Sequence, residues 1–570
     1  MSQFRQEYDQ VVAQLTAPGA PWELAEDAAG LRYFVKAPRN LAEAIAVARQ
    51  HGDREFLVYE GERRTFNNLL DEAERIAAAL QAHGIGAGDR VALAMRNYPE
   101  WMAAFIAVVT TGAVIVPLNS WGQPAEIARL VADADARLVF CDQARFDGLA
   151  ASVRDPAVRL VIARPTRRDD PAGLDSLLSA SAGQAATPVA IRGDDLAMIM
   201  YTSGTSGVPK GAASTHAAIC QALYNFEFAA AAAAMCNGEA ITAMLERGYE
   251  PTSLLALPLF HVSGCHAQFL TNLRGGRRVV MMYKWDVARA LDYIERERIT
   301  TIAAAPAMVL DLLESPDFDR ADTASLFSLG VGGAATPPRI SRLLEGKLPG
   351  SFSGTGWGMT ETNAQGASLT GRFFRDKPGS AGPLHPIVDL RICDELGGEL
   401  APGVAGEIWV RSPTNIREYW RRPEANQREF HGGWLKTGDV GYLDEDGFLF
   451  LADRVKDMII RGGENVYPVE VENQLLQLEA VREVAVIGLP HDRLGEEVAA
   501  VVGLHPGEQL SEAQLLAYAR GHLAAYKVPT RVFFVVEDLP RTATGKVLKQ
   551  QLKAAIGTGL QAGLDANKNK

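Results

Sequence analysis

The feature that most restricts this chain is a repeated order of elements in its first half. An amphipathic helical pattern is followed by a glycine stop and then a short, unbroken apolar run. "FNNLLDEAERIAAALQAHGIGAGDRVALAM" carries this order once, and "PEWMAAFIAVVTTGAVIVPLN" repeats it. An apolar run without polar alternation belongs to a strand buried on both faces, and helices join such strands in parallel. "LAMIMYTS", after Asp195, reads as one more buried strand, and the alternation resumes through "ARALDYIERERITTIAAAPAMVLDLLES". The polar stretch from Pro165 to Asp195 reads as a surface connection.

From about Gly382 to Val410 the pattern changes to short strands rich in Val, Ile and Trp between Gly and Pro turns, as in a small β-barrel-like subdomain. "YLDEDGFLFLADR" reads as a hairpin turning at Glu445, Asp446 and Gly447. Past Arg454 enough chain remains for a small α+β domain, with strands in "REVAVIGLP", "EEVAAVVGLH" and "RVFFVVEDLP". The expected class is α/β: a large N-terminal domain of helix-covered, mainly parallel sheets, then a small C-terminal domain. The last dozen residues read as a frayed tail.

At roughly 150 residues per domain, 570 residues make three or four folding units. The net charge of −12 disfavours nucleic acid as a partner, because no basic surplus displaces counterions. Five widely spaced cysteines form no C-x-x-C pair, so neither a zinc site nor a disulfide framework is expected, and a reducing cytoplasm fits. The N-terminus lacks the apolar core of a signal peptide. No run of 18 apolar residues occurs, so no transmembrane segment is expected. Peripheral membrane contact and a homodimer stay open.

"YTSGTSGVPKG", Tyr201 to Gly211, is built for an anion: glycines admit backbone N–H groups, hydroxyls add donors and a lysine adds charge. It is not the standard P-loop, which needs a Gly-Lys pair, whereas Gly207 is followed here by Val208, Pro209 and Lys210. Four further segments accompany it in order: "GTGWGMTET", "WLKTGDVGYLDEDG", "DRVKDMIIRGGENVYPVEVEN" and "PRTATGKVLK".

Together these five resemble the ordered motifs of the adenylate-forming superfamily, which includes acyl-CoA synthetases, peptide-synthetase adenylation domains and firefly luciferase. The resemblance covers about residues 40 to 555. It implies two steps: a carboxylate attacks the α-phosphate of ATP to give acyl-adenylate and pyrophosphate, then a thiol, usually of coenzyme A, displaces AMP. Thr202, Ser203, Gly204, Thr205, Ser206, Gly207 and Lys210 would wrap the β- and γ-phosphates, with Ser206 where the family usually has Thr. Thr360 and Glu361 match the positions that meet the α-phosphate and Mg2+, a hard cation that prefers carboxylate oxygen, with Thr202 as a second metal contact. Trp357, between Gly356 and Gly358, stands where an aromatic stacks on adenine. Gly333, Ala334 and Ala335 resemble the segment passing between adenine and acyl group. Asp439 matches the ribose-binding aspartate and Arg454 a second ribose or phosphate contact.

Lys546 matches the catalytic lysine, an ammonium that orients two mutually repelling anions and stabilises the transition state. The resemblance places domain 1–454 before a hinge at 455–457 and a mobile domain 458–570. In it, Lys546 serves adenylation, and rotation brings Gly462, Gly463 and Glu464 to the thiol channel.

For the acid, amino-acid-activating domains usually carry Asp after the Phe of "LPLFHVSG", and this chain has His261, which favours a free carboxylic acid. His261 resembles the aromatic at the junction of acyl pocket and thiol tunnel. "AAAPAMVLDLL" and "GVGGAAT" are small and apolar, with no evident cation for a second carboxylate. A medium- or long-chain fatty acid is the first expectation, and an aromatic acid or an acyl-adenylate passed to a carrier protein the alternatives. Phe226 to Thr252 reads as an insertion, bordering the acyl entrance or lying on the surface. "GLDSL" mimics a phosphopantetheine site but lacks room for a carrier bundle.

Overall fold

The computed structural model describes residues 2–202, 209–333, 336–462, 464–542 and 545–557. The helix Phe66–Ala82 starts on a capping box of Thr65 and Asn68 and buries Leu69, Ala73, Ile76 and Leu80 on one face. The strand Arg90–Ala94 follows, closed to solvent from Val91 onward. The second repeat gives the helix Pro99–Thr110 and the strand Val114–Pro117, parallel to the first. This helix is buried nearly all round, and Trp101 stacks on Phe105 with centroids 5.4 Å apart. Each large side chain so buried contributes about 2 kcal/mol.

These strands belong to a seven-stranded sheet, parallel through its centre and antiparallel where Leu196–Thr202 meets Lys210–Thr215. A second sheet of eight strands has a parallel centre and an antiparallel pair at each edge. A third, six-stranded and antiparallel throughout, forms the β-rich subdomain, with the hairpin of Trp434–Leu443 and Phe448–Arg454 at the expected turn.

The connection 455–457 leads into a separate sheet with its own cores. Along Val481–His491 the alternation splits the strand between them: Val484 and Val486 pack with Leu515 on one side, Ala485, Ile487 and Leu489 with Phe533 on the other.

Three segments differ from their sequence reading or complete it. The stretch 165–195 holds a helix, Leu174–Ala180, because Leu174 and Leu177 find apolar cover against Phe66–Ala82. Ser176 of "GLDSL" sits inside it and donates to the Asp170 carbonyl at 2.6 Å. The insertion begins inside the helix His216–Cys236, which buries Asn225 and Phe228, runs through Gly238–Glu246, which buries nothing, and ends at the buried strand Thr252–Leu255. By length and composition His216–Cys236 could cross a membrane, since alanines extend the apolar stretch, but its inner face belongs to the core.

Candidate functional site

A cavity of about 290 Å³ lies between the two domains. Gly333, Gly356, Trp357, Gly358, Asp439 and Arg454 line it from the large domain, and Lys546 from the small one. Residues more than two hundred positions apart thus meet at one place.

Asp439 is the centre of its floor. The antiparallel register sets Asp439 opposite Arg454, and Arg454 Nε lies 2.9 Å from Asp439 Oδ1. The Trp357 indole donates to Oδ2 at 2.9 Å. Its ring edge lies against Gly366, where a Cβ would come within 2.4 Å of Cε3. Trp357 therefore orients the carboxylate through its N–H while lining the cavity, a second task beside the stacking expected of it. Arg454 is pushed above its ordinary pKa, chiefly by the Asp439 carboxylate.

Lys546 follows Gly545, whose φ of +81° suits glycine. A Cβ there would meet Ala305 of the large domain at 3.2 Å, so this loop closes directly on the strand end leading to Pro306. The turn is pinned by Thr542 N–H to the Lys546 carbonyl (2.8 Å) and Lys546 N–H to Thr542 Oγ1 (3.1 Å). Burial, then repulsion from Arg454, lowers the Lys546 pKa to about 8. The other cations lining the cavity are all paired: Arg454 with Asp439, Arg482 and Arg541 with Glu483, Lys549 with Glu472. Among the described residues, Lys546 forms no ion pair.

The phosphate-loop stems are antiparallel neighbours, Thr202 opposite Lys210. The Thr202 hydroxyl lies 3.4 Å from the Lys210 carbonyl. Ser203, Gly204, Thr205, Ser206 and Gly207 lie outside the described residues, as do Ala334, Ala335 and Gly463. Lys210 Nζ sits 4.1 Å over the Tyr419 ring and 3.5 Å from Glu429. The same Tyr419 donates its hydroxyl to Glu361 Oε1 at 3.0 Å. Tyr419 thus links the loop lysine to the turn Thr360–Thr362. Sequence reading missed it; its signal was an aromatic inside the charged run "IREYWRRP".

Glu361 is buried, and burial raises its pKa. A buried carboxylate held by one tyrosine hydroxyl is a fitting ligand for a hard cation. Among the described residues no cluster of three His, Cys, Asp or Glu exists to cage a metal. An ion here would therefore take its remaining oxygens from a phosphate ligand and water.

His261 opens the turn Val262–Gly264 with its ring 4.6 Å from Phe260, and burial pushes its pKa down to about 4, leaving it neutral. It does not line the 290 Å³ cavity. Gly462 and Glu464 also lie outside it, Glu464 exposed on the strand Glu464–Val466. Of these C-terminal residues, Lys546 alone lines the cavity among those described.

The AMP-binding enzyme family model matches residues 45–420, and that for the AMP-binding enzyme C-terminal domain matches residues 470–546. The chain belongs to this family of adenylate-forming enzymes, in its acyl-CoA synthetase branch: an acid–thiol ligase of the AMP-forming type. It is 34% identical to the long-chain-fatty-acid–CoA ligase FadD13 of Mycobacterium tuberculosis strain H37Rv, over 86% of this chain and 93% of that protein. It is 34% identical to a feruloyl-CoA synthase of an Amycolatopsis species, over 87% and 95%. Its fold matches the o-succinylbenzoate coenzyme A synthetase MenE of Bacillus subtilis, solved with ATP and a magnesium ion, at a TM-score of 0.72, 32% identity and coverage of 90% and 99%.

Proposed function

We propose that this chain joins a carboxylic acid without a second charge to coenzyme A through an acyl-adenylate, releasing AMP and pyrophosphate. The observation that carries this reading is Lys546, the cavity cation left without an ion-pair partner among the described residues, beside Asp439 and Arg454. An ammonium that no carboxylate neutralises is available to two incoming anions, the acid and the α-phosphate. The carboxylate oxygen forms its bond to phosphorus, the bond to the pyrophosphate oxygen breaks, and Lys546 stabilises the charge that accumulates between them. Asp439, held by Trp357 and Arg454, accepts from the ribose hydroxyls. Lys210 and the loop it closes grip the departing pyrophosphate, and Mg2+ on Glu361 would neutralise its charge. Coenzyme A then attacks the acyl carbon past His261 once Gly462, Gly463 and Glu464 replace Lys546, with 455–457 as the hinge. A cytoplasmic setting suits the ATP and coenzyme A supply.

The relatives divide between fatty and aromatic acids by name. A fatty acid suits the small apolar segments, and an aromatic acid, or an acyl-adenylate passed to a carrier protein, is the alternative. Pyrophosphate release across fatty and aromatic acids tests the reaction. In Lys546→Ala, acyl-adenylate formation is abolished while thioester formation from supplied acyl-adenylate is largely spared. Equal loss of both half-reactions contradicts the division of labour.

A further inference from the structure

Directly after His261 the backbone winds as a π-helix, Cys265–Leu270, a rare form that recurs at functional sites. Two polar side chains project from it into the core. His266 is fully buried, and Asn363 is the hydrogen-bonding neighbour of its ring, so at most one ring nitrogen is served. The Asn363 carboxamide also accepts from Ser214 at 3.0 Å and donates to the Thr414 carbonyl at 2.8 Å. Gln268 donates to the Ala303 carbonyl at 2.9 Å and leaves Oε1 without a partner.

The helix His216–Cys236 packs against this turn. Its buried Asn225 meets Gln365 and His385, yet Asn225 Oδ1 and Gln365 Nε2 are also unpartnered. Leaving a polar group buried without a partner is costly, so four residues with such groups in one region call for an occupant.

Their position says which. Asn363 follows Glu361 by two residues, and Ala303 sits on the strand Thr301–Ala304, whose end meets the Lys546 loop at Ala305. His266 and Gln268 therefore lie behind the reacting centre, where the body of the acid must go. The free groups are both donors and acceptors. Burial pushes the His266 pKa down to about 4 against a smaller opposing effect of the Asn363 hydrogen bond, so its ring is neutral.

Resting on the ligase reading above, we propose that the π-helical turn forms the polar end of the acyl pocket. His266 and Gln268 there hydrogen-bond a neutral hydroxyl or keto group on the acid, remote from its carboxylate. The substrate class is thus a hydroxy- or oxo-acid, not a plain alkyl or unsubstituted aryl acid. A site built to bond such a group discriminates strongly against the analogue that lacks it.

The test is pyrophosphate release with ATP and Mg2+ on matched pairs: cinnamate with 4-hydroxycinnamate, and octanoate with 8-hydroxyoctanoate. In at least one pair the hydroxylated member has a kcat/KM at least ~10-fold higher. His266→Phe and Gln268→Leu each narrow that ratio, and His266→Gln, which keeps a donor and an acceptor, restores part of it in a protein with the parent's melting temperature. Equal turnover within both pairs overturns the proposal and assigns the free groups to trapped water, leaving the ligase reading intact. Turnover of no acid overturns both.

Discussion

Adenylation by this enzyme fails at mildly alkaline pH, and the structure sets where. Lys546 carries a pKa of about 8 against 10.5 for a free lysine, because its ammonium is buried and faces Arg454. The reaction needs the charged form. With that pKa, the protonated fraction in the free enzyme falls from about 90% at pH 7 to about 9% at pH 9. The kcat/KM for acyl-adenylate formation, which reports groups of the free enzyme, therefore drops about tenfold over that range. An unperturbed lysine would lose about 3%. Bound phosphates favour the ammonium, so the limb of kcat lies at higher pH than that of kcat/KM. Lys549, raised by Glu472, does not titrate in this window. Lys456 is also lowered, so the limb is assigned by substitution. It disappears in Lys546→Arg, whose guanidinium stays charged, whatever activity remains, and it persists in Lys456→Arg. The assay is ATP–pyrophosphate exchange at low substrate from pH 6.5 to 10. A flat wild-type profile, or a limb that survives in Lys546→Arg, refutes the reasoning.

Asp439→Ala leaves the Arg454 guanidinium and the Trp357 N–H without their acceptor. It destabilises by about 2 kcal/mol, the ion-pair share reduced because Arg454 is partly exposed, seen as a lower urea midpoint. Asp439→Asn recovers part by still accepting from the indole. Glu361→Gln raises the melting temperature at neutral pH: its folded pKa lies above the unfolded value, so ionisation costs stability once pH exceeds it. The same change cuts adenylation by ~100-fold and raises the Mg2+ required, read from a metal titration. Arg339 reaches across the domains to the Val481 carbonyl (3.2 Å) and His505 (3.3 Å). Arg339→Ala loosens that hold by about 1–2 kcal/mol, slowing adenylation up to tenfold without slowing thioester formation from supplied acyl-adenylate; equal slowing of both refutes the latch.

Fold class was legible because strands such as Val114–Pro117 are buried on both faces, which writes itself as an unbroken apolar run. The helix Leu174–Ala180 was hidden because it is only seven residues long: its leucines Leu174, Leu177 and Leu178 make a single turn of helical period inside a polar stretch. The motif residues were legible through the resemblance of five ordered segments to a known family, but their relations were not. Tyr419 reaches Glu361 because the two-residue strand Glu418–Tyr419 pairs with Lys210–Thr215, some two hundred residues earlier, and nothing local in "IREYWRRP" encodes that register. Trp357 reads as a stacking surface until its N–H is seen on Asp439. His266 carries no signal in the sequence, because its distinction is complete burial in a π-helical turn, which only three dimensions reveal.

The placement of Lys546 on a separate domain follows from the cost of keeping it unpaired. Lowering its pKa from 10.5 to about 8 means that closing the domain over a charged Lys546 costs about 3 kcal/mol. A carboxylate at its side would remove that cost, as Glu472 does for Lys549 at 2.7 Å, but would also compete with the two anions it must bring together. On the rigid sheets of the large domain such an ammonium would be either hydrated or neutralised. On a domain held by a few contacts, such as Gly545 against Ala305 and Arg339 on Val481, the cost instead weakens closure in the absence of ligand. A polyanion in the cavity supplies the missing partner and stabilises closure by its interaction with Lys546. On the proposed two-step reading, that stabilisation falls once pyrophosphate and its charge depart, and only the same small contacts are left to hold the domain. The domain rotation proposed above and the lack of an ion-paired carboxylate at Lys546 among the described residues would thus be one electrostatic arrangement.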